Sequence, residues 1–235
     1  MKLETLLLEI FEKLRLHGIS YTDFFLLFIK SYGYLPNEIS LLENPFERNI
    51  IITKMKKLAE IVTKLPDTLS IMRNQVCWLK KQGVQPFLVD CLGLPEMYEI
   101  YKVIVEKYGI LSVAFKLYIN SRAITYKFRS KFQKSSMSEL AQSLGTSLYR
   151  RIDKIVHGDL SSPMELDKLV SCAEARIKDY VDALVKDVVS YRYAFIVSDH
   201  GYDIYWENHE YYLGHGRDSK FAKIAPLIFF VQNEA

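Results

Sequence analysis

Apolar residues recur at helical spacing over the first third of the chain, from Leu3 to about Gln82. The clearest stretches are Leu6, Leu7, Ile10, Phe11 and Leu14, and then Leu69, Met72, Val76 and Leu79. A spacing of three and four residues places such side chains on one face of a helix. The last of these helices is bracketed by Pro66 and Gly83, with proline at the start and glycine after the end. We therefore predict an all-helical N-terminal segment over residues 1–82.

Beyond this segment, short apolar runs alternate with longer amphipathic stretches, a pattern typical of β-α-β units. Strands are predicted at 85–90, 111–119, 193–198 and 225–232. Helices are predicted at 95–108, 136–144 and 163–188. The aromatic stretch 201–216 receives no assignment. Residues 83–235 are thus predicted to form an α/β domain with a mostly parallel sheet flanked by helices.

Composition and charge narrow the class of protein. The chain has 235 residues, of which 49% are hydrophobic and 25% charged, so it can bury a sizeable core. The formal net charge of +3 falls short of the excess typical of proteins that bind nucleic-acid duplexes, so direct duplex binding is not indicated. The apolar run 24–29 is much shorter than the roughly 20 residues that span a bilayer, and no membrane segment is predicted.

Cysteine usage and the N-terminus bear on the compartment. Cys77, Cys91 and Cys172 lie far apart, and an odd number leaves one without a disulfide partner. Glutamates interrupt the apolar residues of the first helix, unlike the uncharged centre of a signal peptide. We therefore predict a cytoplasmic protein without disulfides. The chain ends directly after the last predicted strand, which is compatible with a fragment of a longer protein.

Metal-ligand side chains stand at the ends of two predicted strands. Asp90 ends the first strand, and Asp199 and His200 follow the strand that ends at residue 198. In open α/β sheets, residues just beyond the carboxyl ends of strands line the ligand crevice. Each of these residues alone is as well explained by a helix cap or a turn. Their common position at strand ends favours a shared site.

Three further residues of the same type complete the candidate set. Asp153 and His157 are four residues apart, and His215 lies between two glycines before the last strand. His209 is a spare imidazole that could replace His215. Carboxylates and imidazoles suit zinc, with manganese as a harder alternative, and three protein ligands per metal leave a position open for substrate. We predict two divalent metal ions, zinc in first place.

The sequence VSDHG around Asp199 and His200 resembles the most recognisable motif of the alkaline-phosphatase superfamily. That family has an aspartate after an early strand, a Ser or Thr that opens a helix, Asp-x-x-x-His, Asp-His-Gly, and a last His followed by Gly. This chain has such residues in the same order over about two thirds of its length. The segment PFLVDCLGLPEMYEI is similar to the PglZ branch, known from phage-defence systems of the BREX type. The resemblance implies an alkaline-phosphatase-like catalytic core over residues 83–235.

The resemblance also implies how the ligands divide between the two metals. One metal would be held by Asp90, Asp199 and His200 together with the nucleophile. The other would be held by Asp153, His157 and His215.

The nucleophile implied by the resemblance is Ser135, because relatives usually have a glycine ten residues later and Gly145 stands there. Ser136 is the alternate. Thr125 stays open as well, because the proline that relatives commonly carry after the nucleophile is missing. A hydroxyl at a helix start lies near free backbone N–H groups that favour a phosphate. Simple N-capping by Ser135 is an equally natural interpretation.

The predicted function is hydrolysis of a phosphorylated or nucleotide-like substrate, as a phosphatase or a phosphodiesterase, within a phage-defence system. Asn120, Arg122 and Lys134 are candidates for contact with the phosphoryl oxygens. The alternative is a PglZ-like scaffold subunit of a defence complex, with a mainly structural metal site and with protein partners docked on the N-terminal helices. A sulfatase is disfavoured because no Pro-Ser-Arg pattern follows Cys91.

Overall fold

Four helices make up the N-terminal part of the computed structural model, which describes residues 3–35, 45–216 and 218–232. They are α1 (Leu3–Leu16), α2 (Tyr21–Ser31), α3 (Pro45–Lys64) and α4 (Leu69–Lys81). Helix α2 begins with a capping box, in which Ser20 Oγ accepts from the Asp23 backbone N–H at 3.0 Å. The prediction of a helical N-terminal segment is confirmed for the described residues.

The second part is built on a mixed five-stranded sheet. In chain order the strands are β1 (Gln85–Val89), β2 (Val113–Ile119), β3 (Leu148–Tyr149), β4 (Tyr193–Ser198) and, after a separate hairpin, β7 (Ile224–Val231). The hairpin consists of β5 (Asp203–Glu207) and β6 (Glu210–Gly214). The order across the sheet is β2-β7-β4-β1-β3. The α/β class is confirmed.

The prediction of a mostly parallel sheet is not confirmed. Strand β4 is parallel to β1, and β1 is parallel to β3, but β7 is antiparallel to both β4 and β2. The longest ladder, that of β2 with β7, is therefore antiparallel. The connection explains the difference, because the chain leaves β4, forms the hairpin at that edge and returns as β7 without a crossover helix.

Several helices surround the sheet. They are α5 (Leu94–Tyr108), α6 (Thr125–Lys131), α7 (Met137–Leu144), α8 (Arg151–His157), α9 (Leu166–Cys172) and α10 (Asp179–Val188), with a π-helical segment Ala173–Lys178 joining the last two. Helix α5, helix α7 and the long stretch ending at residue 188 were predicted. Helices α6 and α8, strand β3 and the hairpin were not. No helix among residues 3–35 and 45–232, Arg217 aside, is long and apolar enough to cross a membrane.

The N-terminal helices and the α/β part share one hydrophobic core. Phe11 of α1 contacts the rings of Phe24, Tyr98, Tyr101 and Phe115, which belong to α2, α5 and β2. All of these rings are buried. Helices α1 and α2 therefore use their apolar faces against the rest of the chain, and residues 1–82 do not pack as a separate body.

Replacing Leu14 by alanine is expected to destabilise the whole chain. Leu14 is fully buried in the shared core, so Leu14→Ala should lower the free energy of unfolding by about 2–5 kcal/mol. Leu16→Ala on the same helix, where the side chain is 69% exposed, should cost less than about 0.5 kcal/mol. Urea denaturation followed by circular dichroism measures both. Two separate transitions would contradict a shared core.

Candidate metal centre

The ends of β1 and β4 bring three of the predicted ligands together. Asp90 follows β1, and Asp199 with His200 follows the neighbouring parallel strand β4. Because the two strands run in the same direction, their carboxyl ends lie at one edge of the sheet. One ligand atom from each of the three residues lies within 4.8 Å of the others. We refer to these residues as the deep group, since all three side chains are buried.

The other three predicted ligands reach the same edge from different elements. Asp153 and His157 lie one turn apart on α8, which begins directly after β3. His215 follows β6 and precedes β7, whose reversed direction makes it start at this edge. Their ligand atoms also lie within 4.8 Å of one another. We refer to them as the outer group, because the His157 side chain is 50% exposed.

Hydrogen bonds orient the ligands of the deep group. Asp199 Oδ1 accepts from the Cys91 backbone N–H at 3.2 Å. His200 Nδ1 lies 2.9 Å from the Gly201 carbonyl oxygen, which can only accept, so Nδ1 carries the proton. The other ring nitrogen, Nε2, faces Asp199 Oδ2 at 3.1 Å. A ring held in this tautomer presents a lone pair for a metal ion.

The outer group is close-packed around its imidazoles. His157 Nε2 lies 2.7 Å from His215 Nε2 and 3.3 Å from Asp153 Oδ1. The ring of His215 also packs against that of His200, with 4.1 Å between centroids. His215 therefore touches both groups, and the two groups form one continuous centre.

Burial and like charges shift the pKa values of several ligands. Burial, followed by the charges of Asp199 and Asp153, raises the pKa of Asp90 to about 8, with Arg150 partly opposing the shift. Burial is also the first cause that raises the pKa of Asp153. Burial and then the neighbouring imidazoles His200 and His157 lower the pKa of His215 to about 3. Carboxylates that lie close together repel one another when ionised, so a neighbouring positive charge is needed to keep them all ionised.

The arrangement fits divalent metal ions. Asp90 Oδ1, Asp199 Oδ2 and His215 Nδ1 are buried atoms without a hydrogen-bond partner in the described part of the chain. Such atoms are rare in proteins because each costs desolvation energy. An ion beside them would satisfy the carboxylate oxygens and offset the repulsion. A mixed carboxylate and imidazole set suits zinc, or manganese.

The structure does not bring Ser135 or Ser136 to this centre. Ser135 is exposed and its hydroxyl donates to Glu139 Oε2 at 2.8 Å, while Ser136 Oγ accepts from the Glu139 backbone N–H at 3.1 Å. Both residues therefore cap α7. Thr125 lies at the centre instead, with Oγ1 3.1 Å from His200 Nε2.

The count back from Gly145 leads to α7, which does not reach the ligands. Gly145 ends that helix in the left-handed conformation. Thr125 opens α6, the first helix after β2. This helix has seven residues and Ile124 as its N-cap, without a side-chain cap hydrogen bond. In the sequence, the only sign that Thr125 lies near the ligands is its position shortly after a predicted strand.

The other predicted side chains lie apart from the ligand set. Asn120 is buried and donates to the backbone oxygens of Asp199 and Ile124, so it fixes the backbone behind the deep group. Lys134 pairs with Glu139, Arg122 is exposed, and His209 is exposed at the hairpin turn. Arg150 was not among the residues predicted from the sequence. It directly follows β3, whose Tyr149 carbonyl accepts from the Asp90 backbone N–H at 2.9 Å.

Comparison with known proteins gives no identification. No family model matches the chain, and no similar curated protein or solved structure was found.

Replacing His157 by alanine is expected to reduce zinc binding from two ions to one, because the outer group loses one of three ligands. His209→Ala is the control, since that exposed imidazole belongs to neither group. Equilibrium dialysis with metal analysis gives the stoichiometry. Two ions in His157→Ala, or one ion in His209→Ala, would contradict the assignment.

Metal-free protein is expected to lose stability as the pH rises. Asp90 has a pKa of about 8 when folded against an ordinary value of 3.8, so its contribution is complete below about pH 4 and is lost toward pH 8. With a chelator, the free energy of unfolding should fall by a few kcal/mol between pH 5 and 8. Asp90→Asn should make this decline shallower, whereas the surface change Asp182→Asn should not. Equal slopes in urea denaturation for all three proteins would refute the prediction.

Proposed function

We propose that this protein is a metal-dependent phosphoester hydrolase related to the alkaline-phosphatase superfamily, with Thr125 as nucleophile. The observation that carries the proposal is the convergence of six carboxylates and imidazoles, from separate segments, at one edge of the sheet, with the Thr125 hydroxyl 3.1 Å from one of them, His200. These are the six residues that the resemblance implies. Two of the three ligand groups in the described residues have the membership that it implies, and the third combines Cys91 with His200 and His215. A PglZ-like role in phage defence and a cytoplasmic location belong to the same proposal.

The two ligand groups would each hold one divalent ion. When bound, the ions would supply positive charge to the phosphoryl group and lower the pKa of the attacking hydroxyl or water. Thr125 Oγ1 is close enough to His200 Nε2 to approach the same ion as the deep group. The side chain of His157 is 50% exposed, so the outer group borders the solvent from which a substrate would arrive.

Thr125 would act in two steps. Its oxygen forms a bond to phosphorus, its proton passes to the solvent, and the bond from phosphorus to the leaving oxygen breaks. The leaving group departs as an alcohol after it takes a proton from water. A water molecule then attacks the phosphothreonine, which releases phosphate and restores the hydroxyl. The sum is hydrolysis of one ester bond by one water.

Arg150 is our candidate for contact with the phosphoryl oxygens, although its guanidinium also donates to the Ser138 hydroxyl, a neutral partner. It stands at the same sheet edge as Asp90, and its charge acts on both Asp90 and Asp153. The candidates named from the sequence are less suitable, because Asn120 is engaged with backbone and Lys134 with Glu139. A guanidinium can donate two parallel hydrogen bonds to a phosphate.

The scaffold alternative depended on apolar N-terminal helices that need a partner. In the structure the apolar faces of α1 and α2 are buried against α5 and β2. These faces therefore do not need an external partner to cover them. The hydrolase is therefore the function that the geometry supports better.

The nucleophile assignment leads to a direct test with zinc or manganese and two substrates, p-nitrophenyl phosphate and bis-p-nitrophenyl phosphate. Thr125→Ala should lower kcat/KM by about 10³-fold or more, because it removes the attacking oxygen. Thr125→Ser should keep measurable activity. Ser135→Ala and Ser136→Ala should stay within about twofold of the wild type, since both hydroxyls cap α7.

Turnover of only the monoester would identify a phosphatase, and turnover of the diester a phosphodiesterase. Metal-loaded protein that hydrolyses neither compound would count against the proposal. Loss of activity in Ser135→Ala with retention in Thr125→Ala would return the nucleophile to α7.

A further inference from the structure

Two fully buried carboxylates lie outside the ligand set but beside the loops that carry it. Glu96 is in the first turn of α5, which begins shortly after Asp90, and Asp203 begins β5, three residues after His200. Their exposed fractions are 0% and 2%. Buried carboxylates are costly unless they are hydrogen bonded, so their partners indicate what they hold in place.

Glu96 connects the N-terminal helices to the loop of His200. Its Oε1 accepts from the Tyr21 hydroxyl at 2.8 Å and from the Tyr202 hydroxyl at 2.7 Å. Tyr21 is the first residue of α2, and Tyr202 is the second residue after His200. Both rings are buried.

The loop after Asp90 and the loop after Asp199 are packed backbone against backbone. A Cβ on Gly93 would lie 2.4 Å from the Tyr202 ring, and one on Gly201 would lie 3.0 Å from the Leu92 carbonyl oxygen. Gly201 also supplies the carbonyl that fixes the tautomer of His200. The position of Tyr202 therefore affects the orientation of this ligand through one intervening residue.

Asp203 makes the equivalent connection to the loop of His215. Its carboxylate accepts from the backbone N–H groups of residues 220, 221 and 222, and from the hydroxyl of Tyr32. Asp203 is also paired with Gly214, the residue before His215. The Asp203 carboxylate thus holds residues 220–222 on one side of His215, while the backbone of Asp203 is paired with Gly214 on the other side.

Both tyrosines are presented by the same helix. Tyr32 is the C-cap of α2 and follows Tyr21 by eleven residues, which is about three helical turns, so the two side chains lie on one face. Phe28 lies on that face too, and its ring contacts Tyr202 and Phe221, one from each loop. One face of α2 therefore touches the loops of both ligands.

We propose that α2 positions the metal ligands, with Tyr21 acting on His200 through Glu96 and Tyr202, and Tyr32 acting on His215 through Asp203. This inference rests on the proposed metal centre. Tyr21 and Tyr32 are positioning residues, since neither touches the ligands. The N-terminal helices are then part of the machinery of the centre and not an appended module.

The inference predicts a separate effect on each metal, tested with zinc alone. In a His157→Ala background, where only the deep group is complete, adding Tyr21→Phe should weaken zinc binding by about tenfold, as seen when outer-shell partners of metal ligands are removed. In an Asp90→Ala background, where only the outer group is complete, adding Tyr32→Phe should weaken it similarly. When the two substitutions are swapped between the backgrounds, zinc affinity should stay unchanged. Tyr21→Phe should have no effect in the Asp90→Ala background, and Tyr32→Phe should have none in the His157→Ala background.

Tyr98→Phe is the matched control. The Tyr98 hydroxyl is buried at the same interface and donates to the Ile19 carbonyl at 2.8 Å. Within the described residues it has no hydrogen bond to a carboxylate or to a ligand loop. It should lower thermal stability without changing zinc affinity in either background. If Tyr21→Phe and Tyr32→Phe change zinc affinity no more than Tyr98→Phe, α2 has only a structural role and the inference fails. A wild-type chain that binds no zinc would overturn the metal centre itself, and the inference with it.

Discussion

The mutual repulsion of three aspartates at one edge of the sheet is the constraint on which the rest of the site depends. Asp90 and Asp199 are buried and Asp153 is partly buried, and burial raises the pKa of Asp90 and that of Asp153. Adjacent parallel strands bring two of them together, and α8 supplies the third. Without metal ions, the desolvation of these carboxylates lowers the stability of the folded chain. Divalent cations bound to them would replace the repulsion by attraction.

Much of the site could be predicted from the sequence because its ligands stand at ends of regular elements. Asp90 and the Asp199–His200 pair follow long apolar runs, so their strands were recognisable from composition alone. The hairpin and α6 were not recognisable. The hairpin lies in an aromatic, glycine-containing stretch and α6 has only seven residues, so neither shows a clear periodicity of apolar residues. The preference for Ser135 over Thr125 came from this gap, because α7 has a side-chain N-cap and α6 has none.

The direction of β7 could not be read from local sequence either. Its apolar run is the same whether the strand is parallel or antiparallel. What decides the direction is that the described residues between β4 and β7 form a hairpin and a short 3-10 helix, Phe221–Lys223, but no α-helix. That reversed direction is what brings His215 to the ligands. The direction of β7, which could not be predicted, is thus also what brings the third ligand to the outer group.

The unequal burial of the two groups has a consequence for how metal ions would come and go. Every ligand of the deep group is enclosed, so an ion there can exchange only when the surrounding loops open locally. His157 meets the solvent, so an ion in the outer group can leave one ligand at a time through water. Occupancy of the deep group would then be set during folding, while that of the outer group would follow the free metal concentration around the protein.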